Sequence, residues 1–179
     1  MAIEESLPLG VVLERRRSNH PWQDHVWRPV AVIPGAAERD PAGDWTLLRE
    51  GDDWAQYHAG TLQLTLFRKD TEAYKVNLSQ DPPRIFVVLR DGAGEESEHD
   101  LVPFLVTASP YEAQDYLDSG EEIVEAVTMP PGVVAFVQFF VEQHHVDEPF
   151  YKRKRKRHDP DKVGFGRKPP AETGGSGED

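Results

Sequence analysis

The chain has 179 residues, a formal net charge of −12 and no cysteine. A single domain of this length buries roughly 70% of the surface its unfolded chain exposes, enough to fold without staples. The missing cysteines exclude a disulfide scaffold, a thiolate zinc site, an iron–sulfur cluster and a cysteine nucleophile. They agree with a reducing compartment, and the expected location is cytoplasmic.

Taken in chain order, Leu7–Arg16 reads as a strand, because Leu9, Val11 and Leu13 alternate with other residues. Ser18–Asp24 is a polar turn, and Val26–Ile33 a second strand closed by Pro34-Gly35. Four short strands are expected next: Trp45–Arg49, Trp54–His58, Leu62–Phe67 and Glu72–Leu78. Gly51-Asp52 marks the first turn between them and Ala59-Gly60 the second. Ile85–Leu89 and Leu101–Thr107 follow as strands, with an exposed acidic loop between.

Ser109 is placed to cap a short helix, with Pro110 at its first position, Glu112 at its third and Gly120 as its stop. Glu122–Thr128 alternates as a last strand. Val133–His145 reads as a helix that is apolar almost all round and therefore largely covered. A strand is also compatible with its β-branched and aromatic residues. The expected fold is α+β and mostly β: a curled or barrel-like antiparallel sheet of about eight to nine short strands. It carries one short helix near 110–118 and a long apolar C-terminal helix near 132–145. No β-α-β-α alternation points to a doubly wound parallel sheet.

The expected domain boundary lies near residue 150. Residues 1–150 hold eleven Lys and Arg against 27 Asp and Glu, a net −16. Beyond them, Lys152-Arg153-Lys154-Arg155-Lys156-Arg157 is an unbroken basic run, followed by Gly- and Pro-rich sequence. Such a stretch reads as a disordered tail. Its acidic start and short apolar runs give no sign of a signal peptide or a membrane span. Arg15-Arg16-Arg17 lacks the apolar stretch that a twin-arginine signal carries behind it.

Chemistry-bearing residues are densest between Glu14 and Pro29, which hold two Trp, two His, four Arg and an Asp. Trp and Arg dominate interface hot spots, and guanidinium forks match carboxylates and phosphates. Arg15, Arg17, Trp22, Asp24, His25, Trp27 and Arg28 are therefore the candidate partner-binding residues. The bland alternative is a structured corner, with Trp27 in the core and Asp24 capping the turn. His20 and His25 are weak metal-ligand candidates. His144 and His145, adjacent on a helix, point about 100° apart and are poorly placed to share an ion. No Gly-x-Ser-x-Gly elbow, His-Glu-x-x-His pair or phosphate loop is present, so no catalytic residue and no cofactor is assigned, and the reading leans away from an enzyme. The run Lys152–Arg157 could steer an acidic partner electrostatically. Nucleic-acid binding through it is disfavoured by the acidic body.

Several strings carry a resemblance. Val11–Arg16, His20–Asp24 and Val26–Gly35 are similar to the opening of a proteobacterial family of uncharacterised proteins. Tyr74–Leu78, Ser109–Tyr116, Val127–Pro131 and Phe136–His145 resemble later parts of it, and the likeness extends over about Leu7–Tyr151. Members of that family are often encoded beside genes for molybdenum-dependent formate dehydrogenase and a dedicated chaperone. Some are labelled molybdopterin-guanine dinucleotide biosynthesis proteins. A nucleotidyltransferase of that kind needs a Gly-rich loop opening a Rossmann-like fold, and this sequence has neither. The resemblance instead implies an assembly accessory whose partner is a formate dehydrogenase component. The other function classes kept open are a pterin- or nucleotide-binding (or catalytic) β-barrel and a nucleic-acid binder acting through the tail.

Overall fold

A computed structural model of the chain describes residues 3–92, 97 and 99–147. The elements are β1 (Glu4–Arg17), β2 (His25–Pro34), β3 (Thr46–Glu50), β4 (Trp54–Phe67), α1 (Thr71–Leu78), β5 (Arg84–Asp91), β6 (Leu101–Thr107), α2 (Pro110–Ser119), β7 (Ile123–Thr128) and α3 (Pro131–His144). They form two antiparallel sheets, ordered β2-β1-β4-β3 and β6-β5-β7. The fold is thus mostly-β α+β. The expected single curled or barrel-like sheet is corrected to two sheets that do not close into a barrel.

The core lies where the sheets and helices meet. Leu9, Val11 and Leu13 of β1 and Leu64 and Leu66 of β4 come from the first sheet, and Ile85, Val87 and Leu89 of β5 from the second. Val133, Val137, Phe140 and Val141 complete it from α3. Alternating apolar residues supply this face because successive strand side chains point to opposite sides.

Seven strands are described rather than eight or nine, for two reasons. Trp54–His58 and Leu62–Phe67 are one continuous strand, because Ala59 is an unmatched bulge residue: β1 pairs Val11 with Gly60 and then Val12 with His58. Gly60 takes φ +151°, and a Cβ there would come within 2.6 Å of Pro41, so only glycine lets the chain pass. The second reason lies at Glu72–Leu78, which is helix α1, not a strand. Tyr74, Val76 and Leu78 mimic alternation, but the buried residues are Thr71, Ala73, Tyr74 and Asn77, at helical spacing.

Asn77 explains why this turn is held. Its side chain is 1% exposed, donates to the carbonyls of Arg84 and Ala108, and accepts from the Arg84 N–H. One amide thereby ties α1 to β5 and to the segment entering α2. Helix α2 starts as its sequence signals: the Ser109 hydroxyl accepts from the Glu112 N–H, Pro110 is the first residue, and Gly120 ends it at φ 70°.

Helix α3 is covered on one side only. Val133, Val137, Phe140 and Val141 are buried, whereas Phe139 is 57% exposed. The expectation that this helix is largely covered is corrected accordingly, since an i, i+4, i+7, i+8 stripe satisfies the core. Among the described residues no helix is long and apolar enough to cross a membrane. The run Lys152–Arg157 lies outside the described residues.

Replacing Asn77 with Ala leaves buried backbone groups of β5 and the α2 entry without partners. It should lower the unfolding free energy by about 2–4 kcal/mol in urea titrations. A loss below about 0.5 kcal/mol, the range of an ordinary surface change, would contradict the tie.

Candidate partner-binding surface

The register of the β1–β2 hairpin sorts the candidate residues. Glu14 lies opposite Arg28, Arg15 opposite Trp27, Arg16 opposite Val26 and Arg17 opposite His25. On its other edge β1 sets Leu13 against Tyr57, Glu14 against Gln56, Arg15 against Ala55 and Arg16 against Trp54. Facing residues on paired strands project to the same side, and neighbours along a strand to opposite sides. Arg15 and Trp27 therefore share the core-side face, while Arg28 shares the outer face with Glu14 and Arg16.

On the core side, Trp27 is half-buried in an aromatic cluster. Its ring meets Trp45 edge-on at 5.2 Å and Tyr57 at 5.7 Å. His99 stacks flat on Trp45 at 3.6 Å, and its Nε2 lies 3.0 Å from the Gly43 carbonyl. The Trp45 indole N–H donates to the Pro41 carbonyl. The Arg15 guanidinium closes this end of the core, 6.0 Å from the Trp27 ring centre and 5.8 Å from that of Tyr57, within cation–π range.

The outer face is polar. Glu14 is 4% exposed. Its carboxylate accepts from Arg16 Nε through one oxygen and from Gln56 Nε2, at 2.7 Å, through the other. Gln56 in turn accepts from Arg49 Nε at 2.7 Å, with Arg49 contributed by β3. Burial by itself pushes the Glu14 carboxyl up. The bonds from Gln56 and Arg16, with the charges of Arg16 and Arg28, outweigh it and hold the group below its ordinary value.

The turn between the two strands is closed by backbone and by a hydroxyl. The Ser18 N–H donates to the Asp24 carbonyl at 3.0 Å, and the His20 N–H to the Ser18 hydroxyl at 3.0 Å. Ser18, rather than the Asp24 side chain, thus supplies the turn's side-chain bond. Trp22 stands at the tip, 89% exposed.

The candidates therefore do not form one surface. Arg15 and Trp27 meet inside, Arg28 stands outside, and Trp22 extends from the tip with Arg17, Asp24 and His25 exposed along the way. Among the described residues, no three His, Asp or Glu side chains are grouped to hold a metal. His20 and His25 are exposed. His145 Nδ1 lies 2.9 Å from the Thr71 hydroxyl and His144 packs at 4.6 Å on Phe140, so both belong to the α3 packing. A surface depression of about 240 Å³ lies elsewhere, between α1 and β5, lined among others by Asn77, Asp81, Arg84 and Phe86. Sequence reading missed Glu14, Gln56 and Arg49, as well as Tyr57, Trp45 and His99. The alternation that would have placed Glu14 and Gln56 is legible along each strand, but their pairing is a property of register alone.

The Glu14 carboxyl, held below its ordinary value, stabilises the fold above about pH 4.5 and loses that contribution as pH falls through its folded value. In Glu14→Gln the contribution is absent at every pH. The two proteins should therefore differ in Tm at pH 7 and converge on acidification below pH 4, read by thermal melts. A Tm difference that stays constant with pH would contradict the arrangement.

No curated protein and no solved structure matches this chain. The model of a family described as a protein of unknown function (DUF3305) matches residues 8–155, and by that match over most of its length the chain belongs to the DUF3305 family.

Proposed function

We propose that the chain is a non-catalytic accessory protein that binds a protein partner through the free end of its β1–β2 hairpin. The observation that carries this reading is Trp22. An indole 89% exposed at the tip of a well-paired hairpin adds nothing to the fold. It is the kind of large, stiff side chain that anchors interfaces. Arg17, His25 and Arg28 stand exposed beside it on the same two strands, and loops and turns set on a firm scaffold commonly carry binding residues.

The proposed partner is a component of a molybdenum-dependent formate dehydrogenase, and the proposed role is in maturation of that enzyme. This rests on the gene association of the family that the sequence resembles. The basic run Lys152–Arg157 is proposed to speed encounter with an acidic partner, since such charges act mainly on association rate.

A tagged copy should co-purify with a formate dehydrogenase subunit from cells making the enzyme, and Trp22→Ala should weaken that capture at least tenfold, as loss of a hot-spot anchor does. Its Tm should remain within about 2 °C of the parent, because an exposed side chain is removed. Failure to recover any subunit of the enzyme would overturn the assignment of partner. Capture unchanged by Trp22→Ala would overturn the assignment of surface.

A further inference from the structure

The outer face of the first sheet carries an ordered row of polar side chains whose arginines are exposed rather than packed into the core. Reading across the strands in the order β2-β1-β4-β3, the row is Arg28, Glu14, Gln56, Arg49. The next row, one pleat nearer the hairpin tip, is Val26, Arg16, Trp54. Three guanidiniums thus surround one buried carboxylate and one amide.

The way these arginines are held matters. Arg16 bonds Glu14 through Nε, and Arg49 bonds Gln56 through Nε. Each inward bond is made through Nε and so does not use the Nη groups. The Arg16 side chain is 57% exposed even while so held. Arg49 is steadied further by the Trp54 ring, 5.9 Å from its carbon. Arg28 lies close enough to Glu14 for its charge to help hold that carboxyl below its ordinary pKa, and it makes no hydrogen bond or ion pair among the described residues. Val26, 42% exposed, adds an apolar edge beside Arg16 and Arg28.

Such a row is built for anions. A guanidinium fork bonds a carboxylate through two parallel N–H groups, and a fork already fixed in place loses little freedom on binding. Glu14 neutralises one of the three charges, and its carboxylate oxygens are occupied by Arg16 and Gln56. The face keeps an excess of positive charge on a body that is otherwise strongly acidic. That background repels a long polyanion such as nucleic acid, whereas a short segment with a few carboxylates and apolar residues between them fits the forks and the Val26–Trp54 strip. Arg28 and Arg49 are three strand spacings apart, roughly 14 Å, which is about the span of four residues of extended chain.

We propose that this row binds an extended acidic segment of a protein partner, with carboxylates about four residues apart engaging Arg28 and Arg49 and one between them engaging Arg16. The inference rests on the reading of the hairpin end as the contact surface, and it names the chemistry of what is contacted.

The test uses a fluorescent nine-residue peptide of alternating Glu and Val, titrated with the full chain by anisotropy. A Lys-for-Glu peptide and a single-stranded oligonucleotide of equal charge serve as comparisons. The Glu peptide should bind and the Lys peptide should not. Arg28→Gln combined with Arg49→Gln should weaken binding at least tenfold. Arg28→Lys, a conservative change on an exposed edge strand, should keep the melting temperature yet still weaken binding, because the fork is lost while the charge stays. Equal binding of the Glu and Lys peptides, undiminished binding by both Arg28→Lys and the double variant, or tighter binding of the oligonucleotide would each overturn the proposal. Peptide binding alongside failed capture of any formate dehydrogenase subunit would overturn only the partner assignment. Subunit capture without peptide binding would overturn only the acidic segment.

Discussion

Strand β1 is paired to β2 from Leu9 to Arg17 and to β4 from Glu4 to Arg16. A slip of one residue would carry Leu9, Val11 and Leu13 out of the core and send Glu14 into it, so the register on both sides is fixed by the same apolar face. The bulges at Val30 and Ala59 accommodate this double pairing: they re-aim the side chains between the core-forming half of the strand and its charged end. The buried Glu14 carboxylate is tolerated because that register brings Gln56 and Arg16 to it. A buried carboxylate without such partners would be costly, and no buried side-chain polar atom among the described residues lacks a partner.

That constraint divides the hairpin end into two faces with different duties. The core-side face ends in Trp27, Trp45 and Tyr57, capped by Arg15, and is a packing solution: the indoles and the phenol are half-buried in one another. His99, stacked on Trp45, draws the start of β6 onto the segment that precedes β3. The outer face has no such cover. Arg16 and Arg49 are ordered by bonds to Glu14 and Gln56 rather than by burial, which leaves them exposed to solvent. Rigidity with exposure is what a recognition surface needs, and ordering by hydrogen bonds within the sheet supplies it.

Much of this was legible along the chain and little of it across the chain. The start and stop of α2 at Ser109, Pro110 and Gly120 are local devices, and local devices can be read from neighbours in sequence. The strands at Val26–Ile33, Ile85–Leu89 and Leu101–Thr107 show themselves by composition and by their flanking turns. Glu72–Leu78 misleads because seven residues can satisfy two periods at once, and only the tertiary role of Asn77 decides for the helix. Ala59-Gly60 misleads because a bulge and a turn use the same residues. The cluster at Arg15–Arg28 looks like one patch in sequence. Pairing then places alternate residues on opposite sides, and it brings in Gln56 and Arg49 from strands further along the chain.

The central claim is that Glu14 and Gln56 hold Arg16 and Arg49 by their Nε atoms while both side chains stay exposed. Proton–nitrogen NMR of the arginine Nε–Hε groups reads this directly. The account predicts two slowly exchanging, shifted Nε–Hε signals, assigned to Arg16 and Arg49. The Arg16 signal should collapse towards the exposed-arginine position in Glu14→Ala, and the Arg49 signal in Gln56→Ala. Uniform, rapidly exchanging signals for both arginines in the parent protein would contradict it.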